Sequence, residues 1–265
     1  MNSFENKVVW ITGASSGIGE ALAKEFVKEK AILVLSSRRV DELERVKKDL
    51  NYNNDKVLVL PLDLANSTNV DELAKQVVAK YGTIDVLINN GGISQRSLVK
   101  DTPLEVDRKV MEINFFGTVA LTKSVLPYML KQKSGDIVVI SSIVGKFGFY
   151  LRSAYAASKH ALEGFFESLR IETYKDNINV LVVSPGKIRT NISMNAITAN
   201  GKTHNKMDES TDKGLSPEEC AEAILKSIRN KKIDLLIGGK EIRAVYLKRF
   251  FPQLFYKIIR KQKAE

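Results

Sequence analysis

A chain of 265 residues, 44% hydrophobic and 27% charged, has the composition of an ordinary globular protein and is long enough for one sizeable core. The net charge of +10 is uneven, because residues 243–265 carry seven basic groups against one acid. A nearly neutral body with a basic tail weakens a general nucleic-acid reading, which needs a basic groove over the fold, and the single cysteine, Cys220, excludes an internal disulfide.

Met1–Glu5 is too short and too polar for an export signal, and no run of about 18 apolar residues is present. A reduced, cytoplasmic setting is expected. Val8–Thr12 reads as a buried strand, followed by a glycine turn and a helix to about Glu29. Ile32–Ser36 is a second strand and Asp41–Leu50 a helix. Val57–Leu60 is a third strand, Val70–Tyr81 a helix, and Val86–Asn89 a fourth strand. Thr102-Pro103-Leu104-Glu105 carries a helix-start signal, with Thr102 as cap and Glu105 closing the box, for a helix to about Leu130. Asp136–Ile140 is a strand, Ala154–Tyr174 a long helix, and Ile178–Val183 a strand. Ser216-Pro217-Glu218-Glu219 repeats the capping signal for a helix to about Arg229, and Ile233–Ile237 closes the series. Continuous apolar strands alternating with helices imply a doubly wound parallel sheet covered on both faces. The expected organisation is one α/β domain over 1–242, with a substrate lid near 191–214, and a separate basic amphipathic segment over 243–265.

In that last segment Leu247, Phe250, Phe251, Leu254, Phe255, Ile258 and Ile259 fall on one helical stripe, interrupted at Pro252. Packing against protein is favoured; membrane-surface contact stays open, since basic amphipathic helices with aromatics suit it. A nucleic-acid partner is not expected.

Thr12-Gly13-Ala14-Ser15-Ser16-Gly17-Ile18-Gly19 joins the first strand to its helix. Glycines permit a sharp turn and close approach of a ligand, and the helix N-terminus behind them favours a pyrophosphate. After the second strand the chain reads Ser36-Ser37-Arg38-Arg39, with no acid before Asp41. An acid there would hold a ribose 2′-hydroxyl, whereas an arginine fork suits a 2′-phosphate. NADP(H) is therefore the expected cofactor, with Arg38 as main contact and Ser37 as helper. Tyr155 and Lys159, four residues apart, share a helix face. Ionising a tyrosine at neutral pH costs roughly 4 kcal/mol. A lysine about 4 Å away supplies about as much at an effective dielectric near 20.

The spacing TGxxxGIG, together with Asn89-Asn90-Gly91-Gly92, Asn114, Ser142, Tyr155-x-x-x-Lys159 and Pro185-Gly186, resembles the short-chain dehydrogenase/reductase superfamily over about Lys7–Gly238. The tail resembles that of the seventh-member branch of the dehydrogenase/reductase group. The resemblance implies a Rossmann-like sheet of about seven strands and an NADP(H)-dependent oxidoreductase acting on a carbonyl or secondary alcohol. It assigns Tyr155 as acid/base, Lys159 as its partner and ribose ligand, Ser142 to the substrate oxygen, and Asn114 to a relay water. It places Asp63 and Leu64 at the adenine, Asn90 and Gly91 along the cofactor, and Ile188 and Thr190 at the carboxamide. Gly92 stands where the family has alanine, a small-for-small change expected to matter little. A substrate wall of Ser94, Gln95, Ile143, Phe147, Phe149 and Asn191–Met207 favours an apolar substrate. A homodimer or homotetramer is implied. The alternative is a catalytically idle cofactor sensor or membrane-surface protein on the same fold.

Overall fold

Seven short runs of mostly branched and aliphatic residues become seven parallel strands; the central ones are buried on both faces, and the edge strands at either end are only partly covered. In the computed structural model, which describes residues 3–261, they are β1 Val8–Thr12, β2 Ile32–Ser36, β3 Val57–Val59, β4 Val86–Asn89, β5 Gly135–Ile140, β6 Ile178–Pro185 and β7 Asp234–Ile237. They form one sheet in the order β3-β2-β1-β4-β5-β6-β7. The order reverses between β1 and β4, which pair in parallel through Val9–Val86, Trp10–Leu87 and Ile11–Ile88. In such sheets the crevice at the C-terminal ends of these two strands is where a ligand binds.

Helices cover both faces. Helices α1 (Gly17–Lys28), α2 (Val40–Asp49) and α8 (Pro217–Arg229) pack one side, where Phe26, Leu22, Leu33, Leu35 and Ile224 are fully buried. Helices α3 (Val70–Tyr81), α5 (Gly117–Gln132) and α6 (Ser153–Glu172) pack the other, around Trp10, Leu87, Leu121 and Phe166. The fold is a single α/β domain of Rossmann-like type.

Two helix starts with similar sequences behave differently. At Ser216 the full capping box forms: the serine hydroxyl accepts from the Glu219 N–H, and the Glu219 carboxylate takes the Ser216 N–H at 2.8 Å. At Thr102 it does not. Pro103 is the cap of α4 (Leu104–Met111), and the Thr102 hydroxyl donates instead to the Leu98 carbonyl at 2.7 Å. The helix expected to run on to Leu130 is also interrupted. Glu112–Phe116 form a π-turn between α4 and α5, a widening that often marks a functional position.

Helix α7 (Glu209–Asp212) lies in the segment between β6 and α8. After β7 come α9 (Arg243–Phe250) and α10 (Pro252–Ile259), divided at Pro252 as expected. Six residues of the apolar stripe, Leu247, Phe250, Phe251, Phe255, Ile258 and Ile259, line one cavity, but they are buried to different degrees. Phe255 is buried against Ile143 and Phe147, with Leu247 and Ile259 beside it, while Phe250, Phe251, Leu254 and Ile258 remain exposed. Lys263 and Glu265, counted in the basic tail, lie outside the described residues.

Candidate active site

The loops after β1 and β4 are tied together by Thr12 and Asn90. The Thr12 hydroxyl accepts from the backbone N–H groups of Asn90 and Gly91 at 3.0 and 2.9 Å. The Asn90 side chain donates to the carbonyls of Thr12 and Gly13 at 2.9 and 3.2 Å. Gly13 and Gly17 adopt φ of +64° and +59°, the left-handed region that favours glycine. At Gly19 a Cβ would lie 2.3 Å from the Gly13 carbonyl oxygen. Ser16, the cap residue of α1, makes no side-chain capping bond, so the first N–H groups of that helix stay available. A dinucleotide pyrophosphate fits this cradle.

Gly13, Ser15, Ser16, Gly17, Ile18, Ser37, Arg38, Asp63, Leu64, Asn90, Gly91 and Thr190 all line a cavity of about 480 Å³ at this place. Gly19 does not line it; it permits the close approach of α1 to the turn. Arg38 is exposed on the cleft wall. Arg39 reaches across and donates to the Ser15 and Ser16 hydroxyls at 3.0 and 3.1 Å.

Ser142, Tyr155, Lys159, Pro185, Gly186 and Ile188 line a second cavity of about 1200 Å³, which shares Ile18, Asn90, Gly92 and Thr190 with the first. Ser142 lies two residues beyond β5 and caps the short turn Ile143–Gly145, where its hydroxyl accepts from the Val144 N–H at 3.2 Å. Tyr155 and Lys159 stand one turn apart on α6, with Nζ 5.8 Å from the Tyr155 ring centre. Lys159 is buried and donates to the Ile140 carbonyl at 2.7 Å. Burial pushes its pKa down to about 8, opposed by the Glu163 carboxylate one turn further on. Burial also raises the Tyr155 phenol above its ordinary range; the charge of Arg152 and the Ser142 hydroxyl pull it back. Arg152, which the sequence did not point to, is thus a second cation beside Lys159 in the surroundings of Tyr155.

Asn114 lies in the π-turn and lines neither cavity. Its amide donates to the Ile93 carbonyl and the Ser158 hydroxyl at 2.9 and 3.0 Å, and its oxygen accepts from the Ile93 N–H at 2.8 Å. Gly92 is less neutral than expected: a Cβ there would stand 3.0 Å from Asn114 Oδ1 and 3.7 Å from Lys159 Nζ.

Ser94, Ile143, Phe147 and Phe149 line the larger cavity as expected, and Ile192 represents the lid. Gln95 does not. It is fully buried, and its side-chain oxygen accepts the Ala154 N–H at 2.9 Å, holding the start of α6. Among the charged residues of the cavity that were missed, Arg96, Arg152 and Asp208 form one cluster. No motif marks them, since they lie far apart in sequence. The wall formed by Phe250, Phe251 and Phe255 was also missed, because the tail was read as a separate segment. Among the described residues no group of acids, histidines and cysteine could hold a metal.

A glycine cradle at the sheet's switch point, opening into a cavity with a buried Tyr–Lys pair, defines a dinucleotide-dependent oxidoreductase fold. The family model described as short chain dehydrogenase matches residues 7–201. The chain belongs to the short-chain dehydrogenase/reductase family. It is 48% identical over 98% of its length to a Drosophila melanogaster dehydrogenase/reductase SDR family protein 7-like, covering 82% of that protein. A Streptomyces avermitilis short-chain dehydrogenase superposes with a TM-score of 0.82 at 30% identity, over 97% of this chain and 98% of that one. A Burkholderia phymatum relative in complex with NAD reaches 0.85 over 96% of each chain; at 22% identity it bears on the fold alone.

Proposed function

We propose that the protein is an NADP(H)-dependent oxidoreductase that interconverts a carbonyl and a secondary alcohol on an apolar substrate. What carries the reading is the convergence of Ser142, Tyr155 and Lys159 in a cavity continuous with the glycine cleft. When bound, the cofactor supplies or accepts the hydride. Ser37 and Arg38 on the cleft wall, with no acid beside them, favour a 2′-phosphate, and Asp63, Leu64, Asn90, Gly91, Ile188 and Thr190 hold the remainder.

In reduction Tyr155 gives its phenolic proton to the substrate oxygen; in oxidation its phenolate takes the alcohol proton. Ser142 donates to the same oxygen and stabilises the charge developing on it. Lys159 binds the ribose hydroxyls and supplies positive charge near the phenol. Asn114 anchors the relay water through the free lone pair of Oδ1.

Leu104 and Phe116, exposed on α4 and its π-turn, suit a homodimer or homotetramer contact. The exposed aromatics and basic groups of 243–261 suit peripheral contact of a cytoplasmic enzyme with a membrane surface. No described helix is long and apolar enough to cross one.

The test is an NADPH-oxidation screen over ketones, aldehydes and steroids. Tyr155→Phe should retain NADPH binding and lose most turnover; an active variant would refute the assignment. Equal affinity for NADH and NADPH would remove Arg38 from its role.

A further inference from the structure

Arg152 is the cap residue of α6, one turn before Tyr155. Its guanidinium bonds the Ser94 hydroxyl, the Gln95 carbonyl at 3.4 Å, and the Asp208 carboxylate at 2.9 Å. Asp208 belongs to the segment between β6 and α8 that forms the expected lid, and its other oxygen takes Arg96. All three side chains are nearly closed off from solvent, and all line the cavity that holds Tyr155. Two arginines against one carboxylate leave a positive excess inside an apolar cavity, where charge acts over longer distances than in water. Such a cluster is expensive to bury, which argues for a use beyond holding the loop.

We propose that Arg152 is a positioning residue that makes Tyr155 a stronger acid, and that the lid carboxylate Asp208 trims this effect, so that the seat of the lid sets the strength of the acid/base. The placement of Arg152 explains why its charge lowers the Tyr155 phenol while burial raises it. The other charged groups about the phenol are few. Lys159 lies behind it, with Glu163 a turn beyond; His204 and Lys206 share the lid with Asp208, and His204 feels the two arginines. Lys187, Lys240, Glu241, Arg243 and Lys261 line the rest of the cavity. Asp208 is the carboxylate that bonds Arg152.

The consequence for turnover rests on Tyr155 being the acid/base; the ionisation of the phenol does not. Phenolate absorbance is therefore read in the full chain with NADP+ present, immediately after pH jumps. Each variant is compared with the same variant carrying Tyr155→Phe, so that the difference isolates Tyr155. Arg152→Gln should raise the midpoint by about one pH unit or more. Arg152→Lys should restore most of the shift. Asp208→Asn should lower the midpoint, because Ser94 and Gln95 still hold the guanidinium. The same displacements should appear in the pH profile of kcat. An unmoved midpoint in Arg152→Gln, or a raised or unmoved one in Asp208→Asn, overturns the proposal. If Arg152→Gln does not fold, the sign of the Asp208→Asn shift decides alone. An inactive Tyr155→Phe with unmoved midpoints would sink this proposal and leave the enzyme reading intact. An active Tyr155→Phe with moved midpoints would do the reverse.

Discussion

Replacing Lys159 by methionine should abolish a pH dependence of stability that the buried amine creates. The folded pKa of Lys159, about 8, lies below its ordinary value of 10.5. Between these values the unfolded chain holds the proton and the folded chain releases it. The unfolded state binds more protons there, so stability rises with pH through this window. Below pH 8 the folded protein carries a buried ammonium at full cost. At 1.36 kcal/mol per pH unit the gain from pH 8 to 10.5 is about 3 kcal/mol. Cys220 acts in the opposite direction. Burial pushes its thiol from 9 up to about 12, so the unfolded chain loses a proton that the folded chain keeps, and stability falls above pH 9. Tyr155, also raised, adds to that fall above pH 10. Both groups are common to the wild type and Lys159→Met, so the difference between the two proteins isolates the lysine. Urea unfolding of each at a series of pH values gives that difference. It should change by about 3 kcal/mol between pH 8 and 10.5 in favour of the wild type. At pH 7 the variant escapes the buried charge but leaves the Ile140 carbonyl without its donor, a loss of about 1–3 kcal/mol. Its net advantage there is therefore small. A pH-independent difference would refute the claim that Lys159 is held against its charged form.

Gly19→Ala should cost the dinucleotide cradle its shape, because the new methyl would meet the Gly13 carbonyl oxygen at 2.3 Å and Asn90 Nδ2 at 2.7 Å. Backbone cannot yield as a side chain can, so cofactor affinity should fall by roughly tenfold or more with about 1–3 kcal/mol of stability, read by NADPH titration and thermal melting. Phe255→Ala should loosen α10, since its ring lies 5.1 Å from that of Phe147 and is 1% exposed. A loss of about 3–5 kcal/mol in chemical unfolding is expected, with faster proteolysis of 243–261; an unchanged transition would mean that the tail does not depend on this anchor.

The sheet was legible because its central strands are buried on both faces, so their apolar runs needed no partner to be recognised. The glycine turn and the Tyr155–Lys159 pair were legible for a different reason: their chemistry demands fixed spacings within one loop or one helical turn. What escaped was whatever depends on a distant partner. Thr102 has the residue type of a cap, yet Leu98 offered its hydroxyl another acceptor. Gln95 has the polarity of a pocket residue, yet the unpaired Ala154 N–H at the start of α6 claimed it. The π-turn at Glu112–Phe116 left only Asn114 as a sign, a polar residue inside an apolar helix. In the tail, the sequence could reveal a stripe and a break but not that Phe255 packs against Ile143 and Phe147 while Phe251 stays exposed.

The same burial that hides these partners does the chemical tuning. Tyr155, Lys159 and Arg152 all line one cavity, and burial pushes each toward its neutral form. For the lysine and arginine that pressure is met by a carboxylate one or more turns away in space: Glu163 for Lys159 and Asp208 for Arg152. The two carboxylates are not equivalent. Glu163 is fixed within α6 and held by the Ser184 hydroxyl at 3.0 Å, so its effect is constant. Asp208 lies outside α6, in the segment between β6 and α8, and is shared between Arg152 and Arg96. The lysine is therefore offset from within its own helix, and the arginine from across the fold.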